Sequence, residues 1–584
     1  MNIRTAILAL GLSAGLIASA QGLHKEINVD QKIEPVKRDA SRINVLPTLQ
    51  LPAVSRPQLA FSDRVVTARV PNTIPTLAPM AYGDKLYESP YRGYMVMGLG
   101  APLFNATFSA GYRAIDTEKT RLSLWSQYNG DIYRDKVTDL IGGTATEYTN
   151  YWRDHSASIG ADLRQSLGKT TALDAALDYT YGYHTVPVGH MNYSQNISRV
   201  NASVLLSSLT DGLSYTAGIH YGHFGFYHFD FPRSYSHYLE NYPEKGARQN
   251  LFGAGGSVKL PVGETSDIAL DVNADFLRTG YHIIPLYAGD SEMAGGAAGT
   301  SGLISLTPHF DFGSQDVKGS LGVQADITTG GGKTFHIAPE VTFAWTPSQI
   351  FGFEAKAKGG SCLNSLAELY DVSPYLNSFM AYSQSHIPYA FDGRFTVGPF
   401  LGAYLEVFGG YAKANDWLMP AGFNTYPGYG VYDTVDLSAW HAGAAIGYDY
   451  RDVFSARVSY ETAPNDYDKS YYEWRDRAKH VVNANLSVRP IRPLLVTLDW
   501  EFRGGRRTYY LHSTESDGVL GSIVTPYSES LGCVSNLSLG ASYTVTDRLT
   551  IFLNGQNLLN RRPDLIGFRP AQGTTAMIGA SLKF

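Results

Sequence analysis

From Arg92 to the C-terminus the chain repeats a unit of roughly ten residues in which apolar and polar or small side chains alternate, each unit closed by a turn signal. Ile268, Leu270, Val272, Ala274 and Phe276 fall on one side of such a unit, and Ala269, Asp271, Asn273 and Asp275 on the other. Leu173, Ala175, Leu177, Tyr179, Tyr181 and Tyr183 alternate in the same way with Asp174, Ala176, Asp178, Thr180 and Gly182. Leu494, Val496, Leu498, Trp500 and Phe502 alternate with Thr497, Asp499 and Glu501. A period of two is the signature of a strand with unlike faces, and an amphipathic helix would need 3.6. The chain is therefore expected to be all-β.

Alternation alone does not separate a soluble sandwich from a barrel in lipid. The connections do. Asp116–Arg121, Leu167–Thr171, Leu209–Ser214, Val262–Asp267, Gly313–Val317, Thr346–Ser348, Gly398–Gly402, Asp449–Val453, Arg489–Pro493 and Thr546–Leu549 are short. Between them lie long stretches: Asn129–His155, Tyr183–Ile197, Phe224–Asn250, Thr279–Leu303, Gly359–Arg394, Lys413–Ser438, Thr462–Lys479, Gly504–Ser535 and Asn557–Thr575. The connection near Thr328–Thr334 is a modest exception. Such a rhythm predicts a transmembrane antiparallel β-barrel of about 22 strands, with short periplasmic turns and long extracellular loops. Composition agrees. Charged residues make up 17% of the chain, against about 25% in soluble proteins, and the 40 tyrosines and 59 glycines suit a wall with one lipid face and two wet rims.

The two ends point to the same compartment. Arg4, the apolar run Ala6–Ile17 and Ala18-Ser19-Ala20 read as a secretory signal peptide over residues 1–20, cleaved before Gln21. Residues 21–91 carry eight prolines and no long periodic segment, which predicts an extended periplasmic or lumenal leader. Residues 92–584 are the expected barrel, placed in the cell outer membrane of a Gram-negative-type bacterium. In the last strand Ala576, Ile578, Ala580, Leu582 and Phe584 share one face. A terminal strand ending in an aromatic is the kind read by the barrel-assembly machinery, so Ile578, Ala580, Leu582 and Phe584 form a candidate assembly segment.

The second face of the alternating units carries Asp162, Asp174, Asp178, Asp271, Asp275, Asp499 and Glu501, expected to face a hydrated lumen; they read as hydrated wall residues or as groups that favour cations or sugars. Phe224, Phe226, Tyr227, Phe229, Tyr235 and Tyr238 read as an extracellular aromatic loop, in which His223, His228 and His237 match no metal-ligand spacing. No G-x-S-x-G nucleophile motif occurs, and Gly330–Lys333 reads as a hairpin tip because no helix follows it. The chain thus predicts no catalytic residue, metal or cofactor. A net charge of −6 without a basic stripe argues against nucleic acid as a partner. Outer-membrane lipid is the expected partner. Export permits a Cys362–Cys533 disulfide, and two free thiols fit equally well.

The C-terminal residues carry a resemblance. Asn536-Leu537-Ser538-Leu539-Gly540-Ala541-Ser542-Tyr543, then Thr546-Asp547-Arg548-Leu549-Thr550-Ile551-Phe552-Leu553, then Asn557-Leu558-Leu559-Asn560 and the strand ending in Phe584 resemble the end of TonB-dependent receptors. The resemblance implies a 22-strand barrel engaged in transport or binding of a ligand at the cell surface. It also implies an N-terminal plug domain, for which the roughly 70 residues between signal and first strand fall below ordinary domain size. The long loops, the leader or another envelope protein would then fill or cap the lumen. A second reading is a structural or assembly component of a multi-protein outer-membrane complex.

Overall fold

A computed structural model describes residues 91–141, 144–188, 191–210, 212–229, 246–280, 299–330, 333–372, 374, 384–423, 430–463, 478–514, 523–565 and 570–584. The segments expected to be signal peptide and leader, up to residue 90, lie outside them, as do Tyr235, Tyr238 and His237. The strands of the first half are β1 (Gly93–Ala101), β2 (Asn105–Asp116), β3 (Thr120–Ile141), β4 (Thr144–Ser166), β5 (Thr171–Val188), β6 (Met191–Ser208), β7 (Ser214–Phe229), β8 (Arg248–Pro261), β9 (Ser266–Gly280), β10 (Gly299–Gly313), β11 (Val317–Thr329) and β12 (Phe335–Ser348). After β13 (Phe351–Cys362) comes a short helix, α1 (Leu366–Val372). There follow β14 (Ser385–Phe400), β15 (Ala403–Phe423), β16 (Gly430–Tyr450), β17 (Phe454–Thr462), β18 (His480–Ile491), β19 (Leu494–Gly504), β20 (Arg507–Thr514), β21 (Ile523–Ser530), β22 (Val534–Thr544), β23 (Leu549–Gln556) and β24 (Thr575–Lys583).

All of these but β20 and β21 form one 22-stranded sheet, while β20 and β21 pair only with each other within the β19–β22 connection. The sheet closes where β24 lies antiparallel to β1, in register from Tyr94↔Lys583 to Ala101↔Ala576. Gly93 and Phe584 extend the seam, each backbone N–H donating to the other's carbonyl at 2.7 and 2.9 Å. Closure leaves no unpaired edge, the condition a sheet must meet to live in hydrocarbon.

The seam explains the terminal aromatic. A Cβ on Gly93 would stand 2.5 Å from Phe584 Cε2, so the ring occupies the space that the glycine leaves. On its far side the ring stacks on Tyr112, with centroids 6.2 Å apart and planes at 14°. Upstream, the Asn-Leu-Leu-Asn element is a turn in which Asn557 (φ 45°) and Asn560 (φ 50°) both take the left-handed conformation, one that asparagine tolerates better than most residues. Asn557 also ties the turn together: its amide donates to the carbonyls of Arg561 and Gln572, both at 2.7 Å.

The outer-facing set is apolar all the way round. Leu99, Ile159, Leu177, Ile219, Phe252, Ile268, Ile446, Leu553 and Ile578 are each more than half exposed. In water such a belt would be an aggregation surface; in the outer membrane it meets acyl chains. The short turns fall where the sequence puts them, except that Thr346–Ser348 belongs to β12 and the chain turns at Gln349-Ile350. The long connections differ from expectation, because β3 and β4 run on to Ile141 and Thr144, and β5 and β6 to Val188 and Met191. Once a hairpin ladder is started, continuing it satisfies the backbone N–H and C=O groups that a loop would leave to water. For the same reason β7 continues through Phe229.

Candidate functional site

Cross-strand register carries one face around the barrel. Residues directly opposite each other in a ladder point the same way, and the side-chain period along a strand is two. Asp162 lies opposite Ala176, Asp178 opposite Asn201, Asp275 opposite Gly253, and Asp499 opposite Asn485. Followed strand by strand, all seven sequence-selected carboxylates share the face opposite the aliphatic belt.

Each of them has a partner. The Trp125 indole donates to Asp162. Arg164 stands 3.7 Å from Asp174, and Asn201 donates to Asp178 at 2.9 Å. His309 approaches Asp271 at 3.8 Å, His220 approaches Asp275 at 2.8 Å, and Asn485 donates to Asp499 at 2.6 Å. Glu501 accepts from Arg503 Nε at 2.8 Å. The same face holds charged groups that the sequence reading passed over: Lys259 between Asp267 and Asp311 at 3.0 Å each, Arg457 on Glu406 at 2.6 Å, and His441 on Asp392 at 3.0 Å. Their partners lie up to about fifty positions away in sequence, where no local pattern joins them. The face is thus a lattice of polar pairs: Arg164 and Arg503 offset the charge of Asp174 and Glu501, while Asp162, Asp178 and Asp499 are held by neutral donors and keep theirs.

The aromatic stretch departs from the expected loop. Phe224, Phe226 and Tyr227 lie in β7, as does the backbone of Phe229. Phe224 and Phe226 are buried, at 3% and 0% exposure, and only Tyr227 of the three is exposed. They are buried by α1. Leu366 and Leu369 of the helix, Phe224 and Phe226 of β7, Ile197 of β6, Ala247 and Leu418 of β15 form a hydrophobic cluster, with Ala367 and Tyr370 packed against it. Tyr370 lies 5.4 Å from Phe224 and 6.2 Å from Phe226, ring centre to ring centre. A barrel wall has no central core, and this cluster is built instead by a connection folded onto the wall.

Polar contacts fix the helix in register. Arg199 Nη1 and Nη2 donate to the two carboxylate oxygens of Asp371 at 3.1 and 2.9 Å, and Nη2 donates also to the Ala367 carbonyl at 2.9 Å. The Arg199 guanidinium lies 5.6 Å from the centre of the Phe224 ring. The Leu366 N–H donates to Gln249 Oε1 of β8 at 2.7 Å, and the Tyr370 hydroxyl meets His184 Nδ1 of β5 at 3.2 Å. Burying two leucines contributes about 2 kcal/mol each, whereas a partly exposed ion pair contributes about 1 kcal/mol or less. Apolar contact therefore holds α1 down, and the polar contacts set where it sits. The sequence did carry a signal: Ser365 and Glu368 form a capping box, in which the Glu368 N–H donates to Ser365 Oγ at 3.2 Å and the Ser365 N–H to Glu368 Oε2 at 3.4 Å.

The root of this connection is anchored by Asp326, 1% exposed. It accepts from Ser305 Oγ at 2.7 Å, Gln324 Nε2 at 2.9 Å and the Ser361 N–H at 2.6 Å. Nearby, the His386 and His336 ring centres lie 3.9 Å apart, with their planes tilted by 34°. Burial, with the His336 charge beside it, holds the His386 pKa down at about 4. Cys362 and Cys533 are both free, and burial pushes the Cys362 thiol up to about 11. Among the described residues no three metal-ligating side chains come together. In the terminal strand Ile578, Leu582 and Phe584 are exposed on the aliphatic belt, and Ala580 shares their face.

No family model matches the sequence, and no curated protein matches it. Solved structures do match. The iron transporter FrpB of Neisseria meningitidis shares 13% identity over 84% of this chain and 81% of its own, with a TM-score of 0.59. The ferric enterobactin receptor PfeA of Pseudomonas aeruginosa, a double mutant, shares 12% over 84% and 80%, with a TM-score of 0.61. The siderophore receptor PirA of Acinetobacter baumannii shares 11% over 84% and 80%, also at 0.61. At these identities the likeness is one of fold: the chain is an outer-membrane β-barrel with the 22-strand architecture of TonB-dependent receptors.

Proposed function

We propose that this chain is a receptor-like barrel that binds a ligand at the cell surface and takes part in its passage across the outer membrane. The observation that carries the reading is the two-faced closed wall, with an unbroken aliphatic belt outside and a continuous face of matched polar pairs opposite it. Such a wall encloses water, and the carboxylate face, Asp162 through Glu501, is then its lumenal lining. Because each of those carboxylates is already hydrogen-bonded or faces a basic side chain, the lining is a pre-satisfied polar surface with a net acidic character. The C-terminal strand, sealed to β1, is in the same reading the segment handled by the barrel-assembly machinery.

The neighbours in fold are named for iron and siderophores, so ferric chelates are the first ligands to try. The mature chain, refolded into liposomes, is titrated with ferric enterobactin and with ferric chelates of other charge while tryptophan emission is followed; liposome swelling reads solute passage in parallel. Saturable quenching by a chelate supports the reading. The absence of saturable binding for every ligand tried refutes the receptor, even where solutes pass.

A further inference from the structure

The connection between β13 and β14 does not follow the wall. It leaves β13 at Cys362, and by Leu366 its backbone is bonded to Gln249 of β8. Five strand positions separate β8 from β13 around the ring, at least about 24 Å along the wall at ~4.8 Å per strand. Four residues reach at most about 14 Å. The segment therefore leaves the wall and is met over the lumen by the Gln249 side chain, and the β5–β8 groups it touches stand on the polar face: Ile197 and Arg199 share that face with Asn201, and His184 shares it with Asp178. Leu418 of β15 joins the same cluster from the helix's own side of the ring.

We infer that α1 is a strap across the extracellular mouth of the pore, anchored by Leu366, Leu369 and Tyr370 on the β5–β8 wall and positioned by Arg199 and Asp371. The inference rests on the reading of the polar face as lumenal. A seven-residue helix does not persist by itself in water, so the strap is ordered only while it is docked. The root is fixed independently of the docked end. Asp326 holds Ser361, Asn364 Nδ2 donates to Ser385 Oγ at 3.0 Å, and Ser385 Oγ donates to the Asp416 carbonyl at 2.9 Å. A segment tied at its root and held across the gap by a cluster of side chains has two states, docked and released. The docked state narrows the mouth, and release widens it.

Single-channel conductance of the full mature chain in planar bilayers tests this, with retarded gel mobility before heating as the check that each barrel has folded. Leu366→Asp puts a charge into the apolar anchor without altering any wall strand, and a several-fold higher conductance is expected. Arg199→Ala and Asp371→Ala are expected to raise the frequency of wide openings, Arg199→Ala the more because it also loses the Ala367 carbonyl and the Phe224 ring, and the double variant to match Arg199→Ala, because Asp371 acts only through that guanidinium. Folded barrels whose conductance is the same in Leu366→Asp as in the unaltered chain would overturn the strap. Additive effects of Arg199→Ala and Asp371→Ala would overturn the assignment of the positioning pair. Ligand titration keeps the two readings apart: an unchanged conductance with saturable chelate binding removes the strap and leaves the receptor, whereas wide openings without any binding leave the strap and remove the receptor.

Discussion

Two neighbouring residues in β5 should respond oppositely to the same substitution. Leu177 is 55% exposed on the aliphatic belt, and Ala176 points the other way, opposite Asp162 in the ladder and flanked by Asp174 and Asp178. Leu177 lies six residues beyond Thr171, the first residue of the strand. At about 3.4 Å per residue and a tilt of about 40°, that is about 15 Å into an apolar band of about 25 Å, close to its middle. An arginine at the bilayer midplane costs about 2–4 kcal/mol, so Leu177→Arg should lower the unfolding free energy in lipid vesicles by that amount. Ala176→Arg should change it by about 1 kcal/mol or less, because the guanidinium would enter a hydrated lattice with three carboxylates around it. The assay is reversible urea unfolding into vesicles followed by tryptophan emission, with midpoints compared at constant m. Equal losses for the two variants, or a larger loss at position 176, would refute the assignment of faces.

At the seam, Gly93→Val should displace the Phe584 ring, since even a Cβ would come within 2.5 Å of it. A cost of about 1–3 kcal/mol is expected from such overpacking, read as a lower melting midpoint of the barrel band on gels; an unchanged midpoint would show that the ring moves freely. His386 lies at the far end of β14 from the short turn after Phe400, beyond an apolar band of about 25 Å at about 3.4 Å per residue and a tilt of about 40°. Its pKa is held down at about 4, below the ~6.5 of a free histidine. Above pH 6.5 both states are neutral there and stability is full. As pH falls from 6.5 towards 4 the unfolded chain takes up a proton that the folded site refuses, so stability is lost across that window and levels off below it. His386→Gln should therefore flatten the fall in urea midpoint between pH 7 and 4.5, and an identical slope would contradict the buried neutral state. Cys533 is exposed, whereas Cys362 is partly buried with its thiol pushed up to about 11. Maleimide at neutral pH should label Cys533 first by peptide mass spectrometry, and faster labelling of Cys362 would contradict its burial.

The alternation along single strands already contained the wall. Ile268, Leu270, Val272 and Phe276 are exposed on one face and Asp271 and Asp275 stand on the other, as a period of two dictates. Strand number, short turns and the aromatic end were legible too, because each is a local property repeated along the chain. The partner of each carboxylate was not. His220 and Asp275, or Arg457 and Glu406, meet only once the ladder has set its register, and register belongs to pairs of strands rather than to either one. The helix shows the limit most clearly. Ser365 and Glu368 marked a start, but a helix of about two turns gains its order from what it packs on. Only the closed ring brings Phe224, Phe226, Ile197 and Leu418 to it. Sequence determined that this chain would be a lipid-facing cylinder, since periodicity is written residue by residue; the tertiary structure alone decided what stands across its mouth, since that depends on surfaces that exist only when the cylinder is closed.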